Sequence, residues 1–152
     1  MSKDDDDCPP HPQPTRNGRF YCFSVKHHRL DDSNDAQWLR ELRRDEEFGI
    51  FALADERDLS DESGNLYGLR LGINGEVLEL GTRGQQIAKF PLAHPNQPWH
   101  GYPLWPLKPY AGGSNRGAKK VQPSKLVFVT MERAGLLTER NRKRLQKGDQ
   151  IR

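Results

Sequence analysis

Leu66-Tyr67-Gly68-Leu69-Arg70-Leu71-Gly72-Ile73-Asn74-Gly75-Glu76-Val77-Leu78-Glu79-Leu80 is the stretch on which the fold turns. Two runs of alternating character flank Asn74-Gly75, a dipeptide that suits a two-residue type I′ turn because both central positions take positive φ. Centring the turn there pairs Leu71 with Leu78 and Leu69 with Leu80, and sets Arg70 against Glu79 on the opposite face. The stretch reads as a β-hairpin with a leucine face for a core.

Working outward, residues 81–84 read as a second turn and 85–92 as a further strand carrying Ile87 and Phe90, so that a three-stranded meander results. Upstream, residues 48–54 form a short apolar run of strand length. Residues 19–26 are rich in aromatic and β-favouring types, and alternation puts Phe20, Cys22 and Ser24 on one face with Tyr21, Phe23 and Val25 on the other. Between these runs Asn34 is placed to cap a helix, with Gln37 at capping-box spacing and Trp38, Leu39 and Leu42 as a narrow apolar stripe ending before Gly49. Residues 55–65, with five acidic side chains, read as a solvated loop rather than a calcium site, because the EF-hand spacing is absent.

The expected fold is one α+β domain over 19–152. It has a small, mainly antiparallel sheet of three to five strands, one packed helix and a basic helical C-terminus. A flexible leader is expected over 1–18, where Asp4 to Asp7 repel one another and prolines at 9, 10, 12 and 14 remove backbone donors. With Cys8 in that leader, the reading is a free thiol there and a strand-buried Cys22, with no metal site and no cofactor.

Residues 94–123 read as an irregular loop, since prolines at 95, 98, 103, 106 and 109 exclude both a helix and an interior strand. Ser124 is placed to cap a helix over 125–134 with Gly135 as its stop, although Leu-Val-Phe-Val-Thr also suits a strand. Thr138 then caps a second helix that Gly148 ends, the segment 124–148 being helical as a whole. This last helix has one large apolar residue, Leu145, so burial alone does not hold it.

Charge is divided along the chain. Residues 1–107 carry 12 Lys+Arg against 18 Asp+Glu, a balance of −6, whereas 108–152 carry 12 against 3, a balance of +9. A basic final third prompts a partner that is nucleic acid or an acidic protein surface. In a helix-turn-helix arrangement of the two C-terminal helices, Asn141 and Arg142 are the base-reading candidates and Lys143 and Lys147 the phosphate contacts, with Arg140 and Arg144 beside them. The loop adds Trp99, Tyr102 and Trp105, rings suited to stacking or anchoring a partner, interleaved with Arg116, Lys119 and Lys120. The leading expectation is therefore a non-catalytic binding module.

Two alternatives stand beside it. One is a small, toxin-like, metal-independent nuclease in which His100 works with His27, His28 or His94, one imidazole taking a proton and another giving it. The other is an adaptor or antidote protein that uses the Trp/Tyr loop. No nucleophile elbow, zinc-protease, phosphate-loop or dinucleotide motif is present. No run approaches the roughly 18 apolar residues that cross a bilayer, and the start is acidic where a secretory signal is basic, so the address expected is cytoplasmic and away from membranes.

Overall fold

The computed structural model describes residues 8–29, 36–104 and 122–151. Helix α1 (Arg44–Glu56) buries Glu47, Ile50, Phe51, Ala54 and Asp55, which recur at helical spacing along one face. This corrects two expectations: residues 48–54 are helix and not strand, and Trp38 lies outside any helix. Trp38 is bridged to Gly81 in extended backbone, and its indole N–H donates to the Gly101 carbonyl at 3.1 Å. A seven-residue apolar run cannot display its period, and two buried carboxylates flank this one, so the stripe looks shorter than it is. Asn34, the expected cap, lies outside the described residues.

Five short strands follow, β1 (Leu66–Gly68), β2 (Arg70–Leu71), β3 (Val77–Leu78), β4 (Ala88–Phe90) and β5 (Tyr102–Pro103). They form an antiparallel sheet in the order β1-β4-β5 and a separate antiparallel pair β2-β3. The expected meander is thereby corrected, because β4 returns to β1, with Leu66 opposite Phe90, and does not extend the hairpin. Pro103 takes a place at the sheet edge, where a missing N–H is tolerated.

The hairpin is present with its register moved by one residue, Arg70 opposite Leu78 and Leu71 opposite Val77. The cause is the loop. Gly72 N donates to Glu76 O at 2.8 Å, Gly75 N donates to Gly72 O at 3.0 Å, and Gly75 has φ +80° while Asn74 keeps negative φ. That is a three-residue loop with a single left-handed glycine, not a type I′ turn. Leu69 and Leu80 are buried, and Leu71 and Leu78 only half so.

The segment expected as the first strand is extended but held on both sides by bridges instead of a ladder. Phe23 N donates to Pro9 O and His11 N to Tyr21 O, while Cys22 N donates to Trp99 O and Trp99 N to Phe20 O, each at 2.8 Å. Tyr21, Cys22 and Phe23 are all buried and Phe20 is exposed, so both faces of the segment are covered from Tyr21 to Phe23. A single 3-10 turn, Val25–His27, ends the segment.

Of the leader expected over 1–18, residues 8–18 are fastened to this body and 1–7 lie outside the described residues. The His11 ring stacks on Phe48 with centroids 3.7 Å apart, the Thr15 hydroxyl donates to Asp55 Oδ2 at 2.6 Å, and Arg16 pairs with Glu56 at 3.1 Å. The expected free thiols are corrected as well: Cys8 and Cys22 form a disulfide, with Cα atoms 5.2 Å apart. Pairing of Pro10 with Cys22 across the bridge brings the two sulfurs together.

The core is aromatic at its centre, with Tyr21, Phe51 and Phe90 fully buried and Trp38 and Trp99 nearly so. Phe51 meets Phe90 edge-on at 5.2 Å and Tyr21 at 4.8 Å. At Gly101 a β-carbon would stand 2.2 Å from the Phe90 ring, so β5 reaches β4 only because that position has no side chain.

Helices α2 (Lys125–Arg133) and α3 (Glu139–Gln146) form as expected, joined at Gly135. α2 inserts Val127, Phe128 and Met131, and the Thr138 hydroxyl caps α3 by accepting from Asn141 N at 3.1 Å. Polar contacts supplement the single apolar anchor of α3: the Gln122 amide donates to Leu145 O, and Gln86 exchanges two 2.8 Å bonds with the Ile151 backbone. Among the described residues no helix is long and apolar enough to cross a membrane.

Candidate functional site

Three elements converge on an open cleft of about 1120 Å³. The 3-10 turn contributes Lys26 and His27, the 91–98 turn contributes His94 and Gln97, and the run into β5 contributes His100 and Tyr102. Apolar wall comes from Pro91, Leu92 and Pro98, and the Cys8–Cys22 disulfide closes one side. His27 is fixed, with Nδ1 2.7 Å from the Ala36 carbonyl and its ring stacked on Tyr102 at 5.0 Å. His94 stands on an exposed turn in which Gln97 N donates to His94 O at 3.0 Å.

The cleft alters the acidity of its walls. Desolvation lowers the His100 pKa, and the nearby Lys26 charge lowers it further. His100 is itself exposed, so this desolvation comes from the concave wall around the ring and not from enclosure. Burial likewise raises Tyr102.

Of the four candidate histidines, the structure gathers His27, His94 and His100 here and sends His28 elsewhere. His28 Nε2 lies 2.8 Å from Glu47 Oε1, and the buried Glu47 accepts a short hydrogen bond from the Tyr21 hydroxyl through its other oxygen. Oε1 has no well-aligned hydrogen bond, so the His28 contact is one of proximity. Burial, and then the Glu47 charge, raise the Tyr21 pKa well above its ordinary value. Asp55 is the second buried carboxylate of α1, held by Arg19 at 2.9 Å and by Thr15. The sequence reading missed both carboxylates; their signal was the i, i+8 spacing on the apolar face of α1. Among the described residues no group of three or more His, Cys, Asp or Glu is placed to hold a metal ion.

The aromatic candidates are divided. Trp99 is in the core, bridged to Tyr21 and covered by the Arg19 guanidinium 5.0 Å from its ring. Tyr102 is half-buried in β5. Trp105, Arg116, Lys119 and Lys120 lie outside the described residues.

On α3, Arg142 turns inward to a short ion pair with Glu132 of α2, and Lys143 pairs with Glu139 one turn away at 2.8 Å. The Lys143 hydrogen bond lowers the Glu139 pKa. Arg140 and Lys147 are exposed, Arg144 and Asn141 half-buried, and Arg140, Arg144 and Lys147 meet no carboxylate among the described residues. Comparison with known protein families, with curated proteins and with solved structures gives no match.

Proposed function

We propose that this chain is a non-catalytic binding module that engages nucleic acid, or an equivalent polyanionic surface, through the outer face of α3. The observation that carries the reading is the row Arg140, Lys143, Arg144 and Lys147. Their i, i+3, i+4, i+7 spacing lines one face of a helix whose other face is docked by Arg142 and Leu145. Among the described residues Glu139 pairs with one member of that row, Lys143, and both partners are exposed, so a phosphate competes for the lysine at little cost. Arg142, committed to Glu132 of α2, is a weaker candidate for base reading than its position in sequence implied.

Each cation that neutralises a phosphate releases counterions, so the logarithm of the binding constant falls with the logarithm of salt by about 0.9 per contact on duplex DNA. Titration against duplex DNA, single-stranded RNA and an acidic protein, at several salt concentrations, tests the reading. The double substitution Arg140→Gln, Lys147→Gln is expected to flatten the nucleic-acid slope by about 2. A wild-type slope near zero removes nucleic acid as the partner.

The cleft supports a second reading, acid–base cleavage of RNA, because His27, His94 and His100 all line it. RNA cleavage that persists in chelator and disappears in His100→Ala is its signature. The address within the cell belongs with these proposals too. The disulfide weighs against the cytoplasmic address expected from the sequence, since such bonds persist in oxidising compartments and are rare in reducing ones.

A further inference from the structure

We infer that α3 grips double-stranded DNA by its phosphate backbone and does not read its sequence, a conclusion that rests on the binding role proposed for that helix and names its partner. Charge density comes first. Arg140, Lys143, Arg144 and Lys147 share one face of α3, and the seven residues from first to last span about 10.5 Å of helix axis. A duplex carries one charge per roughly 1.7 Å of its axis, so an equal length of it holds about six phosphates, whereas one strand holds half as many. A stiff duplex therefore offers all four cations a phosphate at once. Arg140, Arg144 and Lys147 meet no carboxylate among the described residues, and Asp149, past the end of the helix, is half-buried.

The other side chains of the two helices separate duplex from single strand and backbone from base. Proteins that hold single strands stack the bases on exposed aromatic rings. Between residues 122 and 151 the only aromatic is Phe128, and it is buried in the core. A recognition helix sets the residues of its N-terminus against base edges, and adenine is read by a paired amide. At the N-terminus of α3 the Thr138 hydroxyl is occupied as the cap and Glu139 is a carboxylate paired with Lys143. Of the two amides on the helix, Asn141 is half-buried and Gln146 Oε1 accepts from Arg142, which is itself held by Glu132. What faces outward is a row of cations, the chemistry that positions a protein on phosphates and carries no sequence information. DNA is favoured over duplex RNA because the B-form major groove, about 12 Å wide, admits a helix, and the deep, narrow A-form groove does not.

Fluorescence anisotropy of the full, oxidised chain tests this with labelled DNA duplexes of two unrelated sequences, one of their single strands, a duplex RNA and an acidic protein, each at several salt concentrations. The two DNA duplexes are expected to bind within about twofold of each other, with a salt slope of about 3 to 4. Single strand and duplex RNA should bind at least about fivefold more weakly at the same salt. Arg140→Gln with Lys147→Gln should weaken both duplexes by the same factor and flatten the slope by about 2, with circular dichroism unchanged; if that pair fails to fold, Lys147→Gln alone should flatten it by about 1. Asn141→Ala should leave both duplex affinities within about twofold of the parent. A preference of about tenfold between the duplexes that Asn141→Ala abolishes, or duplex binding indifferent to the loss of the cations, overturns the inference. Single strand, duplex RNA or the acidic protein bound as tightly as duplex DNA, with a salt slope, overturns it while leaving α3 a polyanion-binding helix. No salt-dependent binding to any of these partners removes that role and the inference together.

Discussion

Glu47 and Asp55 sit two helical turns apart on the buried face of α1, and each is met by side chains from the segment before it, Tyr21 and His28 at one and Thr15 and Arg19 at the other. A carboxylate taken out of water is tolerated because its partners come with it, and removing the charge leaves those partners stranded. Asp55→Asn keeps the shape but gives Arg19 no counter-charge, and is expected to cost about 1–3 kcal/mol in urea unfolding. Arg16→Ala, whose pair with Glu56 is exposed at both ends, should fall within about 0.5 kcal/mol of the parent. The phenols set the alkaline limit. Tyr21, Tyr67 and Tyr102 all have pKa values raised chiefly by burial, with Glu47 adding to the first and Asp61 to the second. The fold favours the protonated phenol, so stability is intact below the unfolded value of about 10 and is lost as pH rises above it toward the folded values. Urea midpoints should hold from pH 8 to 9 and drop by pH 11, with tyrosinate absorbance appearing together with unfolding; absorbance that rises ahead of unfolding counts against the buried phenols.

At the scale of the element, the hairpin tests how turn chemistry sets register. Gly75 alone has positive φ in the loop, so Gly75→Ala should cost about 1–2 kcal/mol, whereas Asn74→Ala should cost under about 0.5 kcal/mol. Equal penalties at both positions point back to the type I′ turn and the register expected from the sequence. The hairpin's existence was legible because alternation and an Asn-Gly pair agree within fifteen residues, and the C-terminal helices were legible because Ser124, Gly135, Thr138 and Gly148 mark their ends. Register was not legible, since two and three residues both make good loops here. Helix α1 was misread because its stripe is completed by Glu47 and Asp55, whose partners lie up to 40 residues away. The cleft was legible only as a list of histidines: which three line it depends on the bridge of Tyr21 to Trp99 and the pairing of β5 with β4, both long-range.

Residues 8–18 wrap the 19–23 segment and α1, and the Cys8–Cys22 bond is the covalent part of that wrap. Closing a loop of 14 residues removes conformational freedom from the unfolded chain worth about 3 kcal/mol on the chain-entropy estimate. Against a total stability of about 5–15 kcal/mol for a domain of this kind, that is a large share. The wrap also has non-covalent fastenings: Phe23 to Pro9, His11 stacked on Phe48, and Thr15 on Asp55. Reduction is therefore expected to lower stability without releasing the segment. In native buffer, Cys8→Ser, Cys22→Ser should keep the parent's circular dichroism and resist cleavage between residues 11 and 18, yet unfold in urea with a loss of about 2–3 kcal/mol. Rapid proteolysis within 11–18 in the double variant would mean that the disulfide holds the segment in place. Because Cys8 and Cys22 also form one wall of the cleft, such release would open that wall and couple the histidine site to the redox state of its surroundings. If the segment stays docked and only stability falls, the bond acts on the unfolded chain alone, and the cleft keeps its shape in either state.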